Sequence, residues 1–339
     1  MSVSNGLCTC LSIGKTVGLR IPNSANASAP RAVAANQRLH EDTRHPHAVC
    51  LVSSVTADFA KSAVQPFRAI HLIRVSVMSV SNIEEETALF VEAYSKYRKA
   101  YEGEHGPRNL APYGHVRFPA RIPIHLSIFQ GMANEFLREL ANELNRLDSH
   151  IVQLRTWMKI YKNYDQEDQM SLIMEFIEPL ASMAFGQPAA LRSRYVYSLS
   201  HTSHQANLLS RQGWSESKLP ADGSINYKVM KTCSSSWPRF SEFSEAFDQL
   251  DNSPWKAKTR EYRNRYHHRF PPRFELGQTE YVTRLVGEEG STSYGFGGGE
   301  PLSIEALLPH LREQHQHART CFDMYSNLLI DQWATINVS

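Results

Sequence analysis

The chain has 339 residues, of which 36 are basic and 34 acidic, giving a formal charge of +2; 42% of its residues are hydrophobic. Seventeen glycines, seventeen prolines and five cysteines exclude a collagen-like repeat, a low-complexity chain and a disulfide framework. The most apolar run, 172–185, carries Glu175, Glu178 and Pro179, so no membrane span is expected.

Residues 1–77 differ in composition from the rest. They hold eight basic and three acidic residues, whereas acids outnumber bases in the remainder. The segment is rich in Ser, Ala and Asn and shows no sustained helical or strand period, which predicts a disordered or non-native extension. Its acid-poor, Arg- and Ser-bearing composition is shared with transit peptides, but it has no amphipathic stripe. Met1-Ser2-Val3-Ser4-Asn5 recurs as Met78-Ser79-Val80-Ser81-Asn82, which places the start of a single helical domain at 78–339. Met1 to Arg20 has no basic region ahead of its apolar patch, so a secretory signal is not expected. Cys233 and Cys321, the two cysteines of this domain, are expected to be reduced thiols, and the location to be cytoplasmic.

From residue 82 the period is close to 3.6. Ser81 with Glu84 has capping-box spacing, and Phe90, Tyr94 and Tyr97 share one face of a helix ending near Gly103. Residues 106–123 hold four prolines and two glycines and read as a loop. Leu140, Leu144, Leu147, Ile151, Leu154, Met158 and Tyr161 alternate at spacings of four and three, which predicts one long helix over 126–162 with a buried stripe. Helices are expected next at 166–185, kinked or split by Pro179, and at 188–211. Residues 212–237 are polar and turn-rich. Further helices are expected at 238–250 and 254–269, the second stopped by Pro271 and Pro272. Two β-prone runs, 279–286 and 291–296, flank Gly287-Glu288-Glu289-Gly290 and read as a hairpin. A last helix occupies 303–333, bent or restarted at Pro309. The fold class is therefore all-α, an antiparallel helical bundle with one small β-hairpin insert near 279–296.

Several chemical motifs fail on spacing. Gly14-Lys15-Thr16 lacks the upstream glycine of a phosphate-binding loop, since Thr9 stands there. The glycines at 295, 297, 298 and 299 are followed by Glu300, where a dinucleotide fingerprint needs glycine. Only one Glu-x-x-His pair occurs, Glu102 with His105, against the two that a di-carboxylate metal bundle requires. His201 with His204, and His310, His315 and His317, are better read as hydrogen-bonded bundle histidines than as metal ligands. No metal and no cofactor is expected.

The informative segment is 256–273. It contains Lys256, Lys258, Arg260, Arg263, Arg265, Arg269 and Arg273 against the single acid Glu261. Positive charge so concentrated attracts polyanions, nucleic acid above all. Trp255, Tyr262 and Tyr266 recur at seven and four residues and would mark the buried face of one helix, leaving the cations outside.

Within it, Arg263-Asn264-Arg265-Tyr266-His267-His268 resembles the signature of the HEPN superfamily of helical-bundle proteins: Arg, a polar residue, then His after four to six intervening positions. The match falls on Arg263, Asn264 and His268. The resemblance implies a metal-independent endoribonuclease cutting single-stranded RNA through a 2′,3′-cyclic phosphate. It also implies a homodimer with paired motifs or an antitoxin-type protein partner, as in toxin–antitoxin or defence systems. Carried over, Arg263 would neutralise the scissile phosphate, His268 would be general acid or base, and Asn264 would orient them. Arg260, Arg265, Arg269, Lys256 and Lys258 would hold the RNA backbone. Five positions on a regular helix separate Arg263 from His268 by about 140°, whereas His267 lies on the Arg263 face, so His267 is the alternative partner. The rival expectation is a non-catalytic helical module that binds nucleic acid or a protein partner.

Overall fold

The computed structural model describes residues 80–337, apart from 105–107, 109, 115, 120–121 and 288–290; the expectation for residues 1–77 lies outside the described residues. Helix α1 spans Val80–Glu102, α2 Ser127–Tyr161, α3 Gln166–Leu172, α4 Glu178–Ser210, α5 Tyr227–Ser234, α6 Phe240–Gln249, α7 Ser253–Lys258, α8 Tyr262–His268 and α9 Ile304–Ile336. Strands β1 (Val282–Val286) and β2 (Thr292–Phe296) form an antiparallel hairpin between α8 and α9. The all-α bundle with one small hairpin is thus the architecture of the described chain.

Three long helices, α2, α4 and α9, pack pairwise and make the scaffold. Every member of the α2 stripe from Leu140 to Tyr161 is buried, because leucines at alternating spacings of four and three keep one face toward the neighbours. Glu143 of α2 meets Arg194 of α4 while His150 meets Gln187, so these two helices run antiparallel. Tyr195 and Ser203 of α4 bond Ala318 and Gln332 of α9 in the same order, so α4 and α9 run in the same direction. The connection between them carries α5 to α8 and the hairpin. Helix α1 packs on α2 and α3, where Tyr97, Trp157 and Phe176 stack with centroids 4.5 and 4.7 Å apart.

Four sequence expectations need correction. The break near Pro179 lies upstream of it, as a π-helical turn over Ile173–Ile177. Pro179 has no N–H to give the Glu175 carbonyl, and the wider turn absorbs the mismatch. Helices α4 and α9 continue through Pro188 and Pro309, held by buried neighbours on either side (Gln187 and Leu191; Leu307 and Leu311). Within 212–237 stands α5, capped by Asn226 and burying Met230 and Cys233; eight residues with two buried apolar positions were too short a pattern to show.

The fourth correction matters most. The single helix expected over 254–269 is two helices, because Arg260 and Glu261 both adopt left-handed backbone, with φ of 51° and 57°. Side chains other than glycine pay for that conformation. What offsets it is burial of both flanking aromatics: Trp255 stacks on Phe185, and Tyr262 is 2% exposed with its hydroxyl 2.7 Å from Ser182 Oγ. The change of axis turns Tyr266, expected to be buried, out to solvent.

Both Cys233 and Cys321 are buried free thiols, and burial pushes them up to about 11 and about 12. No helix among the described residues is long and apolar enough to cross a membrane.

Candidate functional site

Tyr262 fixes α8 against α4, and everything else on α8 is placed by that anchor. With Tyr262 inward, Arg263 and His267, four positions apart, project to the same side. They line a cleft of about 490 Å³ together with Arg146 and His150 of α2 and Met183 and Gln187 of α4. Asn264 is turned to the other side of Arg263, into a smaller pocket of about 220 Å³ that also holds Asp251, Lys256 and Glu261. His268 lines neither. It faces a wide groove of about 700 Å³ at the root of the hairpin, with Arg269, Phe270 and Arg273. The structure brings Arg263 together with His267 and sets His268 apart, as the helical angle requires.

The basic residues divide into committed and free. Arg265 is committed: its guanidinium lies 2.6 Å from Glu280 and donates to the Phe270 carbonyl, clamping the end of α8 to the hairpin. Arg273 pairs with Glu178 at 2.9 Å and Lys256 with Asp251 at 3.3 Å. Lys258 Nζ donates to His310 Nδ1 at 3.0 Å. Arg260 lies beside Gly299, in the backbone that follows the hairpin. Arg263 and Arg269 are exposed and form no salt bridge among the described residues.

The α2 side of the cleft is the part that sequence reasoning missed. Glu143 bridges Arg146 at 2.9 Å and Arg194 at 2.6 Å. Gln187 is fully oriented: its Nε2 donates to the Glu143 carbonyl at 2.8 Å and to the Glu143 carboxylate at 3.2 Å. Its Oε1 must therefore accept, which makes His150 Nδ1, 3.1 Å away, the donor. Burial holds the His150 imidazole below the usual histidine range, against a smaller opposing contribution from the Gln187 bond. His150 is consequently neutral near pH 7, with its lone pair on Nε2. A signal existed: Glu143, Arg146 and His150 repeat at three and four residues, one position ahead of Leu144, Leu147 and Ile151. They form a polar stripe bordering the apolar one.

Two further histidines of α4 have polar neighbours. His204 accepts from Trp214 Nε1 and lies 3.0 Å from Glu216, and His201 lies 3.3 Å from Asp222. Among the described residues no group of three or more His, Cys, Asp or Glu side chains is placed to hold a metal ion. No protein-family model, curated protein or solved structure matches the chain.

Proposed function

We propose that the protein is a metal-independent endoribonuclease cutting single-stranded RNA by HEPN-like chemistry, with Arg263 and His267 as its working pair, one position closer than the HEPN signature spacing that Arg263 and His268 satisfy. The observation that carries this proposal is one cleft holding two guanidinium groups, Arg146 and Arg263, and two imidazoles, His150 and His267. Transesterification of RNA needs those parts: a base for the 2′-hydroxyl, an acid for the leaving oxygen, and cations for the phosphate. His150 Nε2 takes the proton of the 2′-hydroxyl, and that oxygen attacks the phosphorus. The bond from phosphorus to the 5′-oxygen breaks, and protonated His267 delivers its proton to that oxygen. The products are a 2′,3′-cyclic phosphate and a 5′-hydroxyl, with no other reactant consumed. The hydrogen-bond chain Glu143–Gln187–His150 holds the base in the tautomer the step needs.

The test is cleavage of an unstructured RNA by the purified chain in EDTA, with product ends analysed for the cyclic phosphate. Arg263→Ala and His267→Ala are expected to lower the rate by about 10²–10⁴-fold, the usual worth of an acid–base group, while His268→Ala stays within a few-fold of wild type. Full cleavage by both of the first two variants overturns the assignment. RNA retained without any cleavage points instead to a non-catalytic binding module.

A further inference from the structure

The hairpin is built in a way that the cleft alone does not explain. Its register pairs Val282 with Phe296, Arg284 with Tyr294 and Val286 with Thr292. Directly paired residues share a face, so these six side chains lie together, while Thr283, Leu285, Ser293 and Gly295 occupy the opposite face. The first face is apolar and aromatic, yet it is open to solvent, and Phe296 is 85% exposed. A two-stranded hairpin is marginal in water by itself, and a contiguous exposed apolar patch is a common mark of an interaction surface.

Two features say what covers it. Arg284 stands in the middle of the face, opposite Tyr294, without a salt bridge among the described residues; it donates a long 3.4 Å hydrogen bond to Thr292 Oγ1. An apolar partner laid over that guanidinium would have to supply a carboxylate or leave a charge buried. The face is also continuous with the groove at the hairpin root, since Val282 belongs to both. That groove adds Tyr281, Phe270, which is 82% exposed, and Arg269, a cation without a salt bridge among the described residues. Rings interleaved with free guanidinium groups suit a polyanion that carries flat faces, which is the chemistry of unpaired nucleotides.

We propose that this face and the groove beneath it form a stacking platform for the unpaired bases of single-stranded RNA. Tyr294 and Phe296 carry bases, and Arg284 and Arg269 meet phosphates. The RNA ligand is taken from the function proposed above; the platform itself rests on the hairpin's own geometry. Because α8 carries Arg263 and His267 on one side and His268 and Arg269 on the other, a strand crossing this helix places one phosphate in the cleft while its neighbouring nucleotides lie on the hairpin.

The test uses the full chain and a fluorescein-labelled, unstructured 2′-O-methyl oligoribonucleotide, which binds but has no free 2′-hydroxyl to attack. Fluorescence anisotropy is expected to show Tyr294→Ala/Phe296→Ala binding at least tenfold more weakly than wild type. Arg284→Ala should lose a few-fold and show a shallower dependence on salt. Binding by the double variant within twofold of wild type, or no binding by wild type, overturns the platform. So does a double variant that changes from dimer to monomer in light scattering at unaltered RNA affinity, since the face would then serve self-association. Loss of binding in the variants with no RNA cleavage by wild type keeps the platform and removes the nuclease assignment. Cleavage by wild type with full binding by the variants does the reverse.

Discussion

The scaffold of α2, α4 and α9 and the arm running from α7 to the hairpin follow opposite rules. In the scaffold, aromatic and aliphatic side chains such as Leu144, Phe129 and Phe322 are fully buried, and polar groups such as Gln187 and Gln314 are buried with partners. In the arm, two consecutive residues hold left-handed backbone, aromatic rings face water and four arginines, Arg260, Arg263, Arg269 and Arg284, form no salt bridge among the described residues. Scaffold residues are spent on stability, and arm residues on presenting chemistry.

That contrast can be broken by substitution. Phe129→Ala, in the scaffold, is expected to cost about 3–5 kcal/mol in urea unfolding, because both the buried area and the cavity left behind count. A loss below 1 kcal/mol would mean the scaffold is looser than its packing indicates. Next in size is acid sensitivity. Burial lowers the proton affinity of His150, His201 and His315 in the folded chain relative to the usual histidine value of about 6.5. The unfolded chain therefore binds protons first as pH falls, so stability is full above about pH 6.5 and declines as pH drops through the lowered native values. Melting temperatures from pH 7.5 to 5 should show this decline, and His315→Gln should flatten it. If the chain cleaves RNA as proposed, the same shift predicts that the acid limb of the cleavage profile lies below the usual histidine value and is lost from the residual activity of His150→Ala.

Smaller effects sharpen the comparison. Glu261→Gly is expected to stabilise by ~1 kcal/mol or less, because glycine takes left-handed backbone without steric cost. A destabilisation in chemical denaturation would show that the Glu261 side chain does more than sit at the bend. Phe296→Ala should leave stability within ~0.5 kcal/mol of wild type, as an exposed ring has little packing to lose.

Legibility in the sequence follows the same division. Helix α2 was readable because its stripe repeats seven times without interruption, and the hairpin because two β-prone runs flank a glycine-bounded turn. The α7–α8 break was invisible, since neither Arg260 nor Glu261 is a residue that signals left-handed backbone. Its effect reached the site: Trp255 and Tyr262 are buried as their spacing indicates, but Tyr266 is not. His150 escaped notice because Gln187, its hydrogen-bond partner, and His267, which lines the same cleft, come from distant segments, and a six-residue signature cannot contain what the fold assembles across more than a hundred positions.

Arg265 gives the arm a mechanical property. By gripping both Glu280 and the Phe270 carbonyl, it serves as a hinge pin between the last turn of α8 and the root of the hairpin. Ordering of the hairpin is therefore expected to slow amide exchange in the turn bearing His267, and linkage makes the effect reciprocal. Shortening the pin in Arg265→Lys would leave both parts folded but uncouple their motions.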